Sequence, residues 1–300
     1  MSFRSEKLLS LAGEDFSSKS RKELSHLAEV CFKNGIHGLC YSAYSDDQEP
    51  GSIITAEQIR QRIAIIKPFT RWIRTFSCTD GNELIPGIAK ENGLNVMVGA
   101  WLSDDKEKNE EEIENLINLA KRGMADLVAV GNEVLYRDEL SEEELLEYIL
   151  RVKKQLPDCQ VGYVDAYYEF ENRPAIATAC DVIYANCYPF WEGCHIDYAL
   201  VYMKNMYYKA LLAGKGKRVI ISETGWPNVG TPFEEALPSD ENALKYFINT
   251  QQWSREEGIE IMYFTSFDEN WKVGAEGDVG AYWGLWDKEG KPKYSNVNKE

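Results

Sequence analysis

Short apolar runs alternate with amphipathic stretches along most of the chain. Eight short runs rich in apolar residues are predicted strands, and the run at 219–221 is apolar on both faces, the pattern of a strand buried in a parallel sheet. The eight runs cover residues 38–41, 71–76, 95–100, 126–130, 160–164, 182–185, 219–221 and 259–266. The helical periodicity between them predicts helices over residues 23–33, 82–92, 109–122, 175–179, 197–213 and 240–257, with two more that begin at Thr55 and Ser141.

This alternation of strands and helices predicts a parallel sheet with helices packed around it. Eight such units favour a closed (β/α)₈ barrel, the TIM barrel, over an open doubly wound sheet, so the predicted class is α/β. The sequence contains no linker and no low-complexity segment. We therefore expect one catalytic domain over residues 1–300, in which residues 1–36 form an N-terminal helical segment that leads into the barrel.

The charge of the chain limits the classes of partner. Its formal net charge is −16, which argues against nucleic acids, anionic membranes and anionic substrates. A neutral polysaccharide or oligosaccharide is compatible with this charge, and we expect a monomer. Residues 1–20 contain no apolar run of signal-peptide length. The sequence as written predicts a cytoplasmic protein, and the alternative is a secreted or periplasmic protein whose signal has been removed.

Cysteine and histidine spacing gives no sign of a disulfide framework or a metal site. The seven cysteines are odd in number and lack a C-x-x-C spacing, so we interpret them as reduced core residues. The three histidines, His26, His37 and His195, are scattered and unpaired. Since no glycine-rich phosphate loop follows a strand either, we expect neither a metal nor a cofactor.

The C-terminal ends of all strands in such a barrel face one mouth, where its chemistry is found. Carboxylates, amides and aromatic rings follow the predicted strands. They are Tyr41, Tyr44, Trp101, Asn132, Glu133, Asp165, Tyr167, Asn186, Tyr188, Phe190, Trp191, Glu223, Trp226, Asp268, Glu269, Trp271 and Lys272. Flat apolar rings with a few polar groups suit the faces and hydroxyls of sugars, so the mouth is predicted to bind carbohydrate.

Glu133 and Glu223 follow the fourth and seventh strands, on opposite sides of an eight-stranded ring. Two carboxylates at one mouth are the minimum equipment for glycoside hydrolysis, where one acts as an acid and the other as a nucleophile or base. Barrel position alone leaves open the separation of the carboxyl groups, and with it retention or inversion. The alternative is that both glutamates form structural salt bridges at strand ends.

The two segments that carry these glutamates resemble a known family. Residues 130–133 (Val-Gly-Asn-Glu) and 222–227 (Ser-Glu-Thr-Gly-Trp-Pro) are similar to the signature motifs of glycoside hydrolase family 17, the β-1,3-glucanases and related glucanosyltransferases. Residues 38–41, 186–190, 267–272 and 284–286 agree with the same family. The resemblance covers about residues 38–286, and its two main motifs occur in order on the expected strands.

The resemblance implies a role for each matching residue. Glu133 would be the general acid/base, and Glu223 would be the nucleophile of a retaining double displacement through a covalent glycosyl-enzyme. Such a mechanism predicts carboxyl groups about 5–5.5 Å apart. The resemblance also implies that Asn132 bonds the sugar 2-hydroxyl and that Tyr188 bonds Glu223. The further substrate-binding residues would be Tyr41 at the floor of the site, Asn186, Phe190, Trp226, Glu269 and Lys272. Glu269 and Lys272 would hold sugar hydroxyls or support Glu223, and the alternative is that they form a structural ion pair.

The leading hypothesis is a retaining hydrolase of β-1,3-glucan. The alternatives are a β-1,3-glucanosyltransferase that uses the same glutamates and a non-catalytic glycan-binding barrel. Residues 165–173 and 231–240 match no family element, so chain-length preference and the balance of hydrolysis and transfer are open. Trp72 and Trp253 are predicted core residues. The candidates for stacking on sugars are Trp101, Trp191, Trp271, Trp283 and Trp286.

Overall fold

The computed structural model describes residues 13–45, 47–274 and 276–294. Residues 1–12 of the predicted N-terminal segment lie outside the described residues. The strands are β1 (Ile36–Cys40), β2 (Thr70–Arg74), β3 (Asn95–Ala100), β4 (Leu127–Asn132), β5 (Val161–Ala166), β6 (Val182–Asn186), β7 (Arg218–Thr224) and β8 (Ile261–Tyr263). The described helices are α1 (Arg21–Asn34), α2 (Ala56–Ile66), α3 (Ile85–Glu91), α4 (Lys106–Lys121), α5 (Glu142–Gln155), α6 (Glu169–Asn172), α7 (Pro174–Ala179), α8 (Ala199–Gly214) and α9 (Asp240–Glu257).

The eight strands form a closed parallel barrel in chain order. The ring closes where β8 pairs with β1, with Gly38 opposite Met262 and Leu39 opposite Tyr263. The predicted (β/α)₈ class is therefore confirmed. Branched side chains such as Ile73, Val98 and Val128 are fully buried, as the apolar runs predicted.

Several element boundaries differ from the prediction, among them the start of α4 and the end of β8. Helix α4 begins three residues earlier than the apolar pattern predicts, because the Asp105 side chain accepts a hydrogen bond from the Lys108 amide (3.0 Å) and caps the helix. Strand β8 ends at Tyr263 rather than near Ser266. Beyond it the Thr265 amide donates to the Trp283 carbonyl (3.2 Å) and the Trp286 amide donates to the Ser266 carbonyl (2.9 Å).

These bonds join the chain after β8 to residues 283–286, which we call the closing segment. Trp286 at its end is fully buried and packs edge-on against Phe32 of α1, with ring centroids 5.5 Å apart. Trp283 at its beginning lies at the barrel mouth, where it lines a cavity at the C-terminal ends of the strands. The closing segment is thus fixed at one end by the core and supplies a wall of the cavity at the other.

The structure also shows the state of the cysteines and the character of the helices. All seven cysteines lie in the described part of the chain, and each is a free thiol. None of the described helices combines the length and apolar character that a membrane span requires.

Candidate active site

A cavity of about 420 Å³ opens at the C-terminal ends of the strands. Four carboxylates and a set of aromatic side chains line it. The carboxylates are Glu133, Glu192, Glu223 and Glu276, and the aromatic residues are Tyr136, Tyr167, Tyr168, Tyr188, Trp191, Phe264 and Trp283. Both predicted catalytic glutamates therefore face one cavity. In the described residues, no group of three or more His, Cys, Asp or Glu side chains is arranged to hold a metal ion.

Glu223 lies near the end of β7 and is held by two donors. Nη1 of Arg74 donates to its Oε1 at 2.6 Å, and the Tyr188 hydroxyl donates to its Oε2 at 2.7 Å. Its carboxylate is only 8% exposed, so both contacts are shielded from water. A guanidinium and a hydroxyl aimed at the two oxygens stabilise the ionised carboxylate and fix its orientation. The predicted bond between Tyr188 and Glu223 is present.

Arg74 at the end of β2 is a site residue that the sequence analysis missed. Its Nη2 donates to Oδ1 of Asn132 at 2.6 Å, while Nη1 holds Glu223. The side chain is 1% exposed, and its guanidinium lies over the Phe76 ring at 4.3 Å. A single buried cation thus joins the ends of β2, β4 and β7. The Asn132 amide is oriented by this contact.

The signal for Arg74 was visible in the chain. It follows Trp72 and Ile73 in the predicted second strand, and an arginine that is buried requires a carboxylate or other strong acceptor nearby. The sequence analysis assigned no residue of this strand to the mouth of the barrel.

Glu133 follows directly on β4, in a very different setting. Its backbone is left-handed (φ +51°) and comes two residues after the left-handed Gly131 (φ +85°). The Glu133 amide donates to the Val164 carbonyl at 2.8 Å, which ties this turn to β5. The turn directs the side chain into the cavity instead of continuing the strand, at a cost in backbone strain that is often found at functional sites.

The Glu133 carboxylate has one strong side-chain donor. Nδ2 of Asn186 donates to its Oε1 at 2.7 Å, and Oδ1 of Asn186 accepts from the Ser222 hydroxyl at 2.8 Å. Burial raises the pKa of Glu133 to about 8, and repulsion from Glu223 adds to the rise. Glu133 is therefore largely protonated near neutral pH. Asn186, which the sequence analysis assigned to substrate binding, lines the cavity and supports the Glu133 carboxylate.

Three residues with an implied role in substrate binding lie elsewhere, which corrects the prediction. Tyr41 is buried, and its hydroxyl donates to the Ile59 carbonyl at 3.3 Å, away from the cavity floor. Trp226 is 1% exposed and donates from Nε1 to the Leu237 carbonyl at 3.0 Å. Phe190 is fully buried. These three large aromatic side chains instead pack in a buried layer beneath the mouth of the barrel.

Glu269 and Lys272 form a buried ion pair beside the site, with Nζ and Oε2 2.8 Å apart. Nζ of Lys272 also lies 4.1 Å from the centre of the Phe264 ring, which lines the cavity. The pair therefore supports the cavity wall, and the structure does not bring its charged ends into the lining. This favours the structural ion pair over direct sugar contact.

Glu276 lines the cavity and was not foreseen. Burial raises its pKa to about 7, Lys272 opposes the rise, and Glu269 and Glu223 add to it. Glu276 follows Gly274 in a loop with no strand or helix pattern, so no periodicity indicated its direction. It adds a third carboxyl group close to the predicted catalytic pair.

The five candidate stacking tryptophans separate into two groups. Trp191 and Trp283 line the cavity. Trp286 is in the core, Trp271 donates from Nε1 to Oε1 of Glu269 at 3.3 Å, and Trp101 lies against the Arg137 guanidinium at 4.4 Å. Stacking on a ligand in the cavity is thus restricted to the first group.

Comparison with known proteins agrees with this geometry. Residues 38–284 match the model of the BtgE/BtgC glycoside hydrolase domain. The chain is 29% identical to glucan 1,3-beta-glucosidase BGL2 of Candida albicans over 256 residues, 77% of this chain and 83% of that protein. It is 26% identical to a glucan 1,3-beta-glucosidase of Saccharomyces cerevisiae, over 91% of this chain and 92% of that protein.

A solved structure gives the same result in three dimensions. The β-1,3-glucanosyltransferase of glycoside hydrolase family 17 from Rhizomucor miehei superposes with a TM-score of 0.78 at 28% identity, covering 87% of this chain and 96% of that chain. Motifs, barrel, paired glutamates and relatives point the same way. The chain belongs to the BtgE/BtgC glycoside hydrolase domain family, within glycoside hydrolase family 17.

Proposed function

We propose that this protein is a retaining glycoside hydrolase of β-1,3-glucan, with Glu223 as the nucleophile and Glu133 as the acid/base. One observation carries the assignment of roles: Glu223 has a cation and a hydroxyl on its two oxygens, whereas burial and repulsion keep Glu133 protonated. Retaining glycosidases require one ionised and one protonated carboxyl group at the scissile bond. The linkage is supported by the names of the relatives, which are glucan 1,3-beta-glucosidases.

In the first step the Glu223 carboxylate attacks the anomeric carbon of the sugar. The bond from that carbon to the glycosidic oxygen breaks, and the leaving oxygen takes the proton of Glu133. The products are a glycosyl ester on Glu223, a free reducing-end fragment and an ionised Glu133. Formation of the ester removes the negative charge of Glu223, which also removes its repulsion on Glu133.

In the second step Glu133 accepts a proton from a water molecule as that water attacks the anomeric carbon. The ester bond to Glu223 breaks, and both glutamates return to their starting protonation states. Two inversions give net retention. The expected separation of about 5–5.5 Å between the carboxyl groups stays a prediction.

The neighbouring residues have supporting roles in this proposal. Arg74 and Tyr188 hold the two oxygens of Glu223 so that the nucleophile keeps its orientation as charge moves onto the sugar. In this proposal Asn132, whose amide oxygen accepts from Arg74, bonds the sugar 2-hydroxyl, a contact that strengthens in the transition state of such enzymes. Trp283 supplies an aromatic face for the sugar ring.

A second candidate is a β-1,3-glucanosyltransferase, in which a sugar hydroxyl replaces water in the second step. The structural relative from Rhizomucor miehei favours it, because that protein is named a glucanosyltransferase and an active-site mutant of it was solved with laminaritriose. Both candidates share the glycosyl-enzyme. They differ in which acceptor reaches it first.

Product analysis on laminari-oligosaccharides separates these functions. Hydrolysis gives only products shorter than the substrate, while transfer also gives longer ones. Parallel assays on β-1,4-glucan and mixed-linkage glucan test the linkage, for which we expect activity to require β-1,3 bonds. The Glu223→Gln variant, which lacks the proposed nucleophile, is the negative control for all of these assays. If the parent is as inactive as this variant on every glucan, the barrel is a glycan-binding protein and the enzyme assignment is wrong.

A further inference from the structure

The segment after β7 contains residues 231–240, which matched no element of the family in the sequence. In the structure it lies beside the loop after β6 and presents Phe233 to the ring of Trp191, edge-on with centroids 5.9 Å apart. Phe233 is 42% exposed and Trp191 is 37% exposed. We call the exposed surfaces of Trp191 and Phe233 the rim pair. A large exposed aromatic surface is costly in water and often marks a binding site.

The rim pair is continuous with the cavity. Trp191 lines the cavity together with Glu133 and Glu223, and its ring lies 5.7 Å from that of Trp283 at a tilt of 38°. Buried Phe190 supports Trp191 edge-on from below, with centroids 5.1 Å apart. Aromatic surface therefore runs from Trp283 inside the cavity, across Trp191, to Phe233 at the rim.

The loop that carries Phe233 is anchored on both sides of it. The Thr231 amide and hydroxyl donate to the Asp278 carboxylate at 2.9 and 2.8 Å. The Leu237 carbonyl accepts from Nε1 of buried Trp226 at 3.0 Å. Between these points Phe233 and Ala236 exchange two backbone hydrogen bonds of 3.0 and 2.9 Å. The loop is thus held without a ligand, which lowers the entropic cost of binding one.

A glycine allows the two loops to meet. The Glu235 amide donates to the Gly193 carbonyl at 3.2 Å. Gly193 has φ +66°, and a Cβ there would lie 2.7 Å from Cβ of Glu234. A larger residue would therefore be strained and would crowd the loop that carries Phe233, so this contact between the loops depends on the glycine.

A polar group accompanies the rings. Glu192, next to Trp191, lines the cavity and accepts a hydrogen bond from the Tyr167 hydroxyl at 3.3 Å. A carboxylate beside a flat apolar ring is the combination that binds a neutral hexose, because hydroxyls donate to the carboxylate while the C–H face stacks.

We propose that the rim pair is a distal sugar-binding subsite that makes the enzyme prefer longer β-1,3-glucan chains. The inference rests on the proposed function for the identity of the chain, and it adds a specific site and a length preference. Sugars bound at the rim pair lie outside the catalytic centre. Short substrates that fill only the cavity do not reach Phe233.

Phe233→Ala tests the subsite without touching the cavity lining. We expect kcat/KM on laminariheptaose to fall about 10-fold, the value of one aromatic stacking contact, with little change on laminaritriose. Phe233→Tyr keeps a ring and should restore the parent value. Tyr208→Ala, which removes an aromatic residue with 49% exposure from α8, is the matched control and should change neither substrate. Equal losses on both oligosaccharides, or no loss on laminariheptaose, would overturn the subsite.

Binding without turnover separates this inference from the proposed function. Laminariheptaose is titrated by calorimetry against Glu223→Gln and against Glu223→Gln/Phe233→Ala. A dissociation constant about 10-fold weaker in the double variant supports the subsite even when the parent cleaves nothing, in which case only the proposed function is wrong. Identical constants with an active parent contradict the subsite and leave the proposed function standing.

Discussion

The ends of β7 and β4 present the same side chain to one cavity in opposite settings. Glu223 has a donor on each oxygen, one of them the Arg74 cation. Glu133 has the Asn186 amide on one oxygen, and burial raises its pKa to about 8. The comparison teaches that the neighbours of a glutamate decide whether it attacks or donates a proton, since the two side chains are chemically identical.

The backbone differs as well. Glu223 lies within β7 (Arg218–Thr224), where the register of its pairing with β6 and β8 shifts, whereas Glu133 is left-handed and follows β4. In the proposed mechanism the irregular end of β7 presents the nucleophile, and the turn after β4 presents the acid/base from another direction.

The largest test of this comparison removes each carboxylate in turn. We expect Glu223→Ala to lose at least about 10⁴-fold in kcat, because loss of a nucleophile removes the covalent route. Azide should then restore turnover in both variants with opposite outcomes. In Glu223→Ala it replaces the nucleophile and gives an α-glycosyl azide. In Glu133→Ala azide attacks the glycosyl-enzyme and gives a β-glycosyl azide. NMR spectra of the products identify the anomer.

Identical anomers from the two variants would contradict the assignment of roles. An activated aryl glycoside provides the control, since its leaving group needs little protonation. Glu133→Ala should therefore keep much of its first-step rate on that substrate, while Glu223→Ala should not.

An intermediate effect is expected when the donors of Glu223 are removed. Arg74→Met leaves a buried carboxylate without its cation, so we expect kcat to fall about 10²–10³-fold, as for a lost electrostatic contact in an active site. Breaking such a buried pair should also cost about 3–5 kcal/mol in the free energy of unfolding. Kinetics and urea denaturation measure both quantities.

Tyr188→Phe is the matched comparison for Arg74→Met. It removes one hydrogen bond to a charged group, worth about 1.5–3 kcal/mol, and keeps the ring against Trp283, whose centroid is 5.5 Å away. We expect a loss of about 10–100-fold in kcat with a smaller change in stability. A Tyr188→Phe variant that is as unstable as Arg74→Met would mean that the hydroxyl is mainly structural.

The smallest expected effect concerns stability and pH. The folded-state pKa of Glu133 is raised from 4.5 to about 8, so its contribution to stability is fully present below pH 4.5 and is lost as pH rises through 8. Glu133→Gln cannot ionise. Its melting temperature should therefore match the parent near pH 4 and exceed it by a few degrees near pH 9.

The same group sets the activity profile. Since Glu133 must carry a proton in the first step, parent kcat/KM should decline as pH rises through about 8. Glu256→Gln removes an exposed charge and is the control for net-charge effects on the melting temperature. Equal stabilisation by Glu133→Gln and Glu256→Gln would contradict a special setting for Glu133.

The sequence predicted the barrel because eight apolar runs alternate with amphipathic helices, a pattern with few solutions. It also predicted which strand ends carry Glu133, Asn186, Tyr188 and Glu223, all of which line the cavity. These residues immediately follow or end apolar runs. Strand register therefore decides where they lie, and register is strongly specified by burial.

Periodicity could not reveal the direction of side chains in the layer below the mouth. Tyr41 and Trp226 follow strands as the lining residues do, yet both are buried and donate to the Ile59 and Leu237 carbonyls. A one-dimensional pattern does not encode such backbone partners. Arg74 and Glu276 were missed for another reason, since one ends β2 beside apolar residues and the other lies in a loop without strand or helix periodicity.

The closing segment has a consequence for how the chain is made. Ring closure requires β8, and Trp283 reaches the cavity only after residues 264–268 have paired with the closing segment. A nascent chain that emerges from the ribosome N-terminus first therefore holds both glutamates long before it holds a binding site. Until β8 is free to pair, β1 has an unpaired edge, so this barrel should depend most on chaperones in the interval before β8 emerges.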